Sequence, residues 1–197
     1  MDKASAIRAA LNKLGERNFK ENASTYDPAV EEWQRAILTA CAAHNWTFTR
    51  SVTTLSAIEN TAHGAIYNYP PDCLSVIHLV DADNRRISWR PYTNKTIITP
   101  GNTATPTCIY NNNSLACSDS IPDSDPAFTD YFIALLASRI APCVLGGEQG
   151  ISLSQALMQE ASHHLSEART RDAQQYASND DAHPLREYLR LNSTVRL

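Results

Sequence analysis

Apolar residues recur at three- and four-residue steps at both ends of this chain, and the period changes in its middle. Ala4, Ile7, Leu11 and Leu14 share one side of a segment that closes near Gly15, which predicts a first amphipathic helix. Asp27-Pro28 reads as a helix start, an N-cap acceptor followed by proline at the first helical position, and Glu31 and Glu32 sit in the first turn where the helix dipole favours them. Val30, Trp33, Ile37 and Cys41 form the stripe of this second helix. From Asn45 the pattern alternates. Trp46-Thr47-Phe48-Thr49, Leu74–Val80, Ile87–Trp89, Thr96–Thr99 and Thr107–Tyr110 are short β-branched or aromatic runs, separated by Tyr69-Pro70-Pro71-Asp72, Asp81–Arg85 and Pro100-Gly101-Asn102. They predict four or five short strands.

Asn111–Asp125 is polar and reads as a connecting loop, and Asp125-Pro126 repeats the helix-start signal. The third helix, through Phe128, Tyr131, Phe132, Leu135, Leu136 and Ile140, is apolar on most sides, as expected of a helix buried in a bundle or against a neighbouring subunit. Pro142 and Gly146-Gly147 are expected to end it. Ser152 with Gln155 makes a capping box for a fourth helix, whose stripe is Leu153, Leu157, Ala161, Leu165, Ala168, Ala173 and Tyr176. Glu160 to His164 and Glu167 to Arg171 are favourable four-residue pairs. The expected fold class is α+β: an antiparallel four-helix bundle (1–44 and 126–178) with an inserted small antiparallel β-sheet domain (45–113), a connecting loop (114–125) and an extended C-terminal docking tail (179–197).

The composition narrows what such a chain does. It has 197 residues, 43% hydrophobic, enough for a real core, and a net charge of −4. A basic excess for gripping duplex nucleic acid is absent. The N-terminal stretch lacks the apolar run of a signal peptide, and the apolar run at Phe132–Ala137, stopped by Ser138 and Arg139, is far short of the ~20 residues of a membrane span. Five cysteines, Cys41, Cys73, Cys108, Cys117 and Cys143, form no CxxC pair and read as reduced thiols.

Chemical motifs are sparse. Gly146-Gly147-Glu148-Gln149-Gly150 lacks the lysine of a phosphate loop and reads as a turn between helices. Cys41 with His44 and Cys73 with His78 lack the paired spacing of a zinc site, and Glu160-x-x-His163 has no second copy to make a di-metal site. Asp119, Asp123 and Asp125 lie among turn residues, and Ser51, Ser56 and Ser75 have no nucleophile-elbow context. No catalytic, cofactor-binding or metal residue is assigned. The segment from Pro184, with Leu185, Arg186, Tyr188, Leu189, Arg190, Leu191 and Arg196, is too short to fold alone and mixes apolar and arginine side chains as partner-bound segments do.

A further set of landmarks carries a resemblance. Ala10-Leu11-Asn12-Lys13-Leu14-Gly15-Glu16 is followed by Trp33 with Arg35 and Leu38, Trp46-Thr47-Phe48-Thr49-Arg50, and Tyr69-Pro70-Pro71-Asp72-Cys73-Leu74-Ser75-Val76. Pro126-x-Phe128 with Ala134-Leu135-Leu136-Ala137 comes next, then Asp172-Ala173. In this order the chain resembles the tail tubular protein A family, the head-to-tail adaptors of short-tailed bacteriophages (podoviruses). Ser75 departs from it, since many relatives carry arginine there.

The resemblance implies a structural virion protein without catalysis or cofactor, assembled in the host cytoplasm into a homo-oligomeric ring, a dodecamer, in the neck of the virion. It would lie between the portal protein and the tail nozzle (tail tubular protein B type) protein. Genomic DNA would be ejected through its lumen without sequence-specific binding, and no membrane would be involved. On this reading Leu185, Arg186, Tyr188, Leu189, Arg190, Leu191 and Arg196 contact the portal, and Phe128, Tyr131, Phe132 and Leu136 pack against neighbouring subunits. Two other readings stay open: a tail-associated glycan hydrolase using exposed carboxylates, and a cytosolic helical protein-binding module that stays monomeric with portal present.

Overall fold

The computed structural model describes residues 1–16, 26–101, 105–122 and 125–175, and the backbone of 176–180. Four helices carry the two ends: α1 (Lys3–Lys13), α2 (Asp27–Ala42), α3 (Pro126–Leu145) and α4 (Gly147–Asp180). Between them lie eight strands: β1 (Arg50–Thr54), β2 (Ala57–Thr61), β3 (Gly64–Asn68), β4 (Cys73–Val80), β5 (Arg86–Ile87), β6 (Arg90–Thr93), β7 (Thr96–Thr99) and β8 (Thr107–Asn112).

The expected four-helix bundle does not fit this arrangement. In a bundle four helices surround a shared centre; here α3 is itself the centre, and α1, α2 and α4 each pack on it. Ala127, Phe128, Tyr131–Ser138, Ile140 and Ala141 are all buried, a span that includes several full turns. By length and composition α3 is apolar enough to cross a membrane, yet most of it is buried inside the protein, so its neighbours account for its composition. Among its described side chains the 34-residue α4 buries one side, at Leu157, Ala161, Ala168 and Asp172. It begins at Gly147, so Ser152 and Gln155 lie inside the helix and form no capping box. The turn into it is made by Gly146 and Gly147 with φ of 66° and 54°, which glycine adopts without strain, and Pro142 lies within α3. At Gly150 a Cβ would come within 2.9 Å of the Ala141 carbonyl, so glycine permits the close approach of α4 to α3.

The small inserted sheet is also corrected. The strands form two four-stranded antiparallel sheets, ordered β1-β8-β4-β5 and β2-β3-β7-β6. Ala65, Tyr67 and Ile97 from one sheet and Leu79, Cys108 and Tyr110 from the other join a second core, separate from the helical one. Trp46–Thr49, expected as a strand, contains a 3-10 turn at Thr47–Thr49, because Trp46 is drawn into the helical core and the chain must bend before β1. The expected loop begins later, since Asn111 and Asn112 finish β8, and Ser114–Cys117 is a 3-10 turn packed on α2. The α2 stripe turns as well: Ala29, Trp33, Ala36, Ile37, Ala40 and Cys41 are buried, while Val30 points outward.

Helix starts show how local signals divide. Asp125 is extended (φ −124°, ψ 96°) and its carboxylate accepts from the Ala127 and Phe128 N–H groups, as an N-cap does. Asp27 instead lies inside the first turn of α2, and Tyr26 precedes it without a side-chain cap. The segment 179–197, expected as a docking tail, lies outside the described residues except for the helix end to Asp180.

Candidate functional site

A connected polar network lies where the helical body meets the β module. Trp46 is fully buried and its Nε1 donates to the Ala40 carbonyl at 2.8 Å. Its ring stacks on Phe48 (centroids 5.7 Å apart) and meets Phe128 and His44 edge-on at 5.0 and 4.9 Å. Asp172 of α4, 4% exposed, accepts from the Thr47 N–H at 2.9 Å and lies 3.3 Å from His44 Nε2. A buried carboxylate is expensive without partners, and these two supply them. One turn away on α4, Arg169 donates to the Ala43 carbonyl at the end of α2.

The network continues into the sheet. Thr49 Oγ1 donates to the Trp46 carbonyl at 3.1 Å, and buried Asn111 of β8 donates through Nδ2 to Asn45 (2.8 Å) and Ser75 (3.1 Å). Residues from Asn45–Thr49, Ser75, Asn111, Phe128 and Asp172 therefore meet in one place. Several belong to the landmarks of the resemblance noted above, and Thr47 and Asp172 are 125 positions apart along the chain. The junction holds two bodies in a set relation; it contains no nucleophile bonded to a base.

The remaining candidate chemistry is dispersed. Asp119 faces Lys3 at 3.4 Å, Asp125 caps α3, and Asp123 lies outside the described residues. Ser51 accepts from Asn112 Nδ2 at 2.7 Å, and Ser75 accepts from Asn111. Cys41 sits in the helical core and Cys73 packs against the other, so they do not share a site. Burial pushes the Cys41 thiol from 9.0 to about 11, burial and the Asp72 charge push Cys73 to about 11, and burial pushes Cys108 to about 12. Such thiols stay protonated and are poor nucleophiles and ligands. Cys117 and Cys143 are exposed.

Among the described residues, one group offers three donors that fit a cation: His163, His164 and Glu167 on α4, with ligand atoms within 4.8 Å of one another. His163 and Glu167 are exposed and His164 is half-buried, and His164 lies 3.5 Å from Glu160 and 3.3 Å from Glu167, so local ion pairing accounts for the geometry. Glu160 is also held by Lys13 of α1, whose hydrogen bond lowers the carboxyl from 4.5.

Comparison with protein-family models and with curated proteins finds no match to this chain.

The expected subunit-packing residues Phe128, Tyr131, Phe132 and Leu136 are at most 4% exposed within one chain. Their apolar surface is covered almost entirely by α1, α2, α4 and Trp46 within the one chain. The expected portal-binding residues Leu185, Arg186, Tyr188, Leu189, Arg190, Leu191 and Arg196 lie outside the described residues. Residues that periodicity alone did not single out now stand exposed: Val52, Ile58 and Tyr92 on the β module, and Ile151 and Met158 on α4. Their signal was weak because isolated apolar residues in short strands look like core positions.

Proposed function

We propose that this chain is a head-to-tail adaptor of a short-tailed bacteriophage. In this reading it is a structural virion protein whose copies form a ring between the portal and the tail nozzle, with genomic DNA leaving through the lumen. Its work is binding, and it performs no catalysis.

The observation that supports this best is the junction. Trp46-Thr47-Phe48-Thr49, Ser75, Phe128 and Asp172, taken from separate landmarks of the adaptor resemblance, are one hydrogen-bonded and aromatic-packed unit. A coupling of this kind suits a part that must keep two bodies in a constant relation while DNA passes. The mildly acidic net charge of −4 suits a passage that DNA must not grip.

The test is the light-scattering mass of the protein mixed with purified portal rings of the phage that encodes it. A gain equal to a full ring of copies is expected, with closed cyclic symmetry. An unchanged portal mass removes the adaptor reading. Deleting residues 184–197 is expected to abolish that gain while leaving the circular dichroism and the unfolding midpoint unaltered; full binding by the truncated chain removes the role of the tail.

A further inference from the structure

Among the described residues the sheet β2-β3-β7-β6 has two open edges, β2 on one side and β6 on the other. Each edge presents one large exposed apolar side chain and one exposed charge of opposite sign. On β2 these are Ile58 (56% exposed) and Glu59; on β6 they are Tyr92 (57% exposed) and Arg90. Neither Glu59 nor Arg90 is in an ion pair among the described residues.

The register makes the two edges a matched pair. Glu59 is opposite Ile66, Ile66 opposite Ile98, and Ile98 opposite Arg90, so the two charges end a single row that crosses the sheet on one face. A second copy set beside the first in the same orientation continues this row, with its Glu59 next to Arg90 of the first. Because the sheet has four antiparallel strands, β6 and the incoming β2 then run antiparallel as well. In that register Ile58 is opposite Pro91, one position from Tyr92, and each of the two lies at the register shift of its own strand, where a bulge breaks the regular alternation of faces.

We infer that copies of this chain associate head to tail through these edges, β2 of one against β6 of the next, by the pair Glu59–Arg90 with Ile58 lying beside Tyr92. The contact is heterologous. The isologous alternatives place Glu59 against Glu59 or Arg90 against Arg90, which like charges disfavour. A heterologous contact repeated with a fixed rotation generates a ring where that rotation closes, and an open filament where it does not. The inference rests on the ring reading proposed above and names its lateral interface.

Side chains carry the contact more than the backbone. Each edge has a register shift, between Ala57 and Glu59 in β2 and between Pro91 and Thr93 in β6, and Pro91 offers no N–H. Bulges and an edge proline restrict indiscriminate strand addition and leave recognition to the charges and the apolar pair. The β6 edge also borders a cleft of about 280 Å³ lined by Trp89, Arg90, Ile98 and Pro100, which places apolar surface beside the Arg90 charge.

The experiment is thiol cross-linking of Ile58→Cys/Tyr92→Cys, with Cys117→Ser and Cys143→Ser removing the exposed native thiols. Within one copy β2 and β6 are three strand spacings apart, ~14 Å, so a short bis-maleimide links different copies. Both new cysteines replace exposed side chains, and circular dichroism checks that the fold is kept. The reaction is run on the protein alone and on portal rings.

A ladder of covalent multimers beyond the dimer is expected in at least one of these conditions. Adding Glu59→Lys should suppress the ladder at least fivefold, and adding Arg90→Glu to that variant should restore it. Absence of a ladder in both conditions, a ladder that stops at the dimer, or one indifferent to charge reversal overturns the inference. If the uncross-linked protein adds mass to portal but yields no ladder, the edge contact falls and the adaptor reading stands. If a charge-sensitive ladder forms while portal mass is unchanged, the edge contact stands and the adaptor reading falls.

Discussion

The helical body and the β module solve the problem of covering apolar surface in different ways. The body wraps α3 with three helices and the aromatic cluster at Trp46, Phe48 and Phe128, so that its most apolar element is fully consumed. The β module closes a smaller core between two sheets and leaves sheet edges, with Val52, Ile58 and Tyr92 facing outward. A hydrophobic element is therefore a poor guide to an interface when its own chain can enclose it. Short strands with modest apolar content can leave more recognition surface, because an antiparallel sheet that does not close into a barrel ends in two unpaired edges.

The contrast is broken most severely at the centre of the body. Phe128→Ala removes the ring that Trp46, Phe48 and Tyr131 pack against, and should cost about 3–5 kcal/mol in denaturant unfolding. Substitution of the exposed Tyr92 should shift stability by less than about 0.5 kcal/mol. Comparable losses at the two positions would mean that the body and the module do not divide their roles in this way.

Next in size is the junction that joins the two regions. Asp172→Ala leaves the Thr47 N–H without its acceptor and His44 without its carboxylate, an expected loss of about 1–3 kcal/mol. Asp172→Asn keeps an acceptor for Thr47 and should recover part of it. Hydrogen exchange sharpens the point: protection should fall at Thr47–Arg50 in the alanine variant and stay unchanged in β3 and β7. A uniform fall throughout the molecule would show that the two regions unfold as one unit.

The smallest effect belongs to the exposed tie between α1 and α4. Lys13→Ala removes the Glu160 partner and should cost only a few tenths of a kcal/mol at neutral pH, because the pair is open to solvent. Its pH signature is more telling. The Lys13 hydrogen bond lowers the folded Glu160 carboxyl below its ordinary 4.5, so the pair's contribution is present above that value and is lost as pH falls through the lowered one. Unfolding midpoints measured on both sides of that window should converge for the variant and the parent at the acid end. A difference that persists in acid would mean that Lys13 acts through packing of its aliphatic stem instead.

The existence of the helices and of several strands was legible in the chain, because burial of one side imposes a period that needs only local residues to be read. The same reading faltered where a local signal has two uses. Asp27-Pro28 and Asp125-Pro126 are identical dipeptides, yet only Asp125 caps, because only its backbone is extended enough to turn the carboxylate onto the following N–H groups. Trp46–Thr49 alternates like a strand, but burial of Trp46 beside Phe128 outweighs that preference and turns the segment into a bend. The strands β2 and β6 carry too few apolar residues to be recognised alone, and β3, with Ala65, Ile66 and Tyr67 buried in succession, lacks the alternation that marks a half-buried strand.

By itself the sequence determined the mixed class, the apolar third helix and the absence of recognised catalytic motifs, all of which follow from composition or short-range spacing. Tertiary structure alone decided that α3 would be a hub, that Asp172 would reach Thr47, and that Glu59 and Arg90 would end one row of a sheet. These relations join residues tens to more than a hundred positions apart, and they exist only once the sheet order and the packing of helices on α3 are in place. Local periodicity shows which side of an element is buried; it does not show what covers it or which edge is left open.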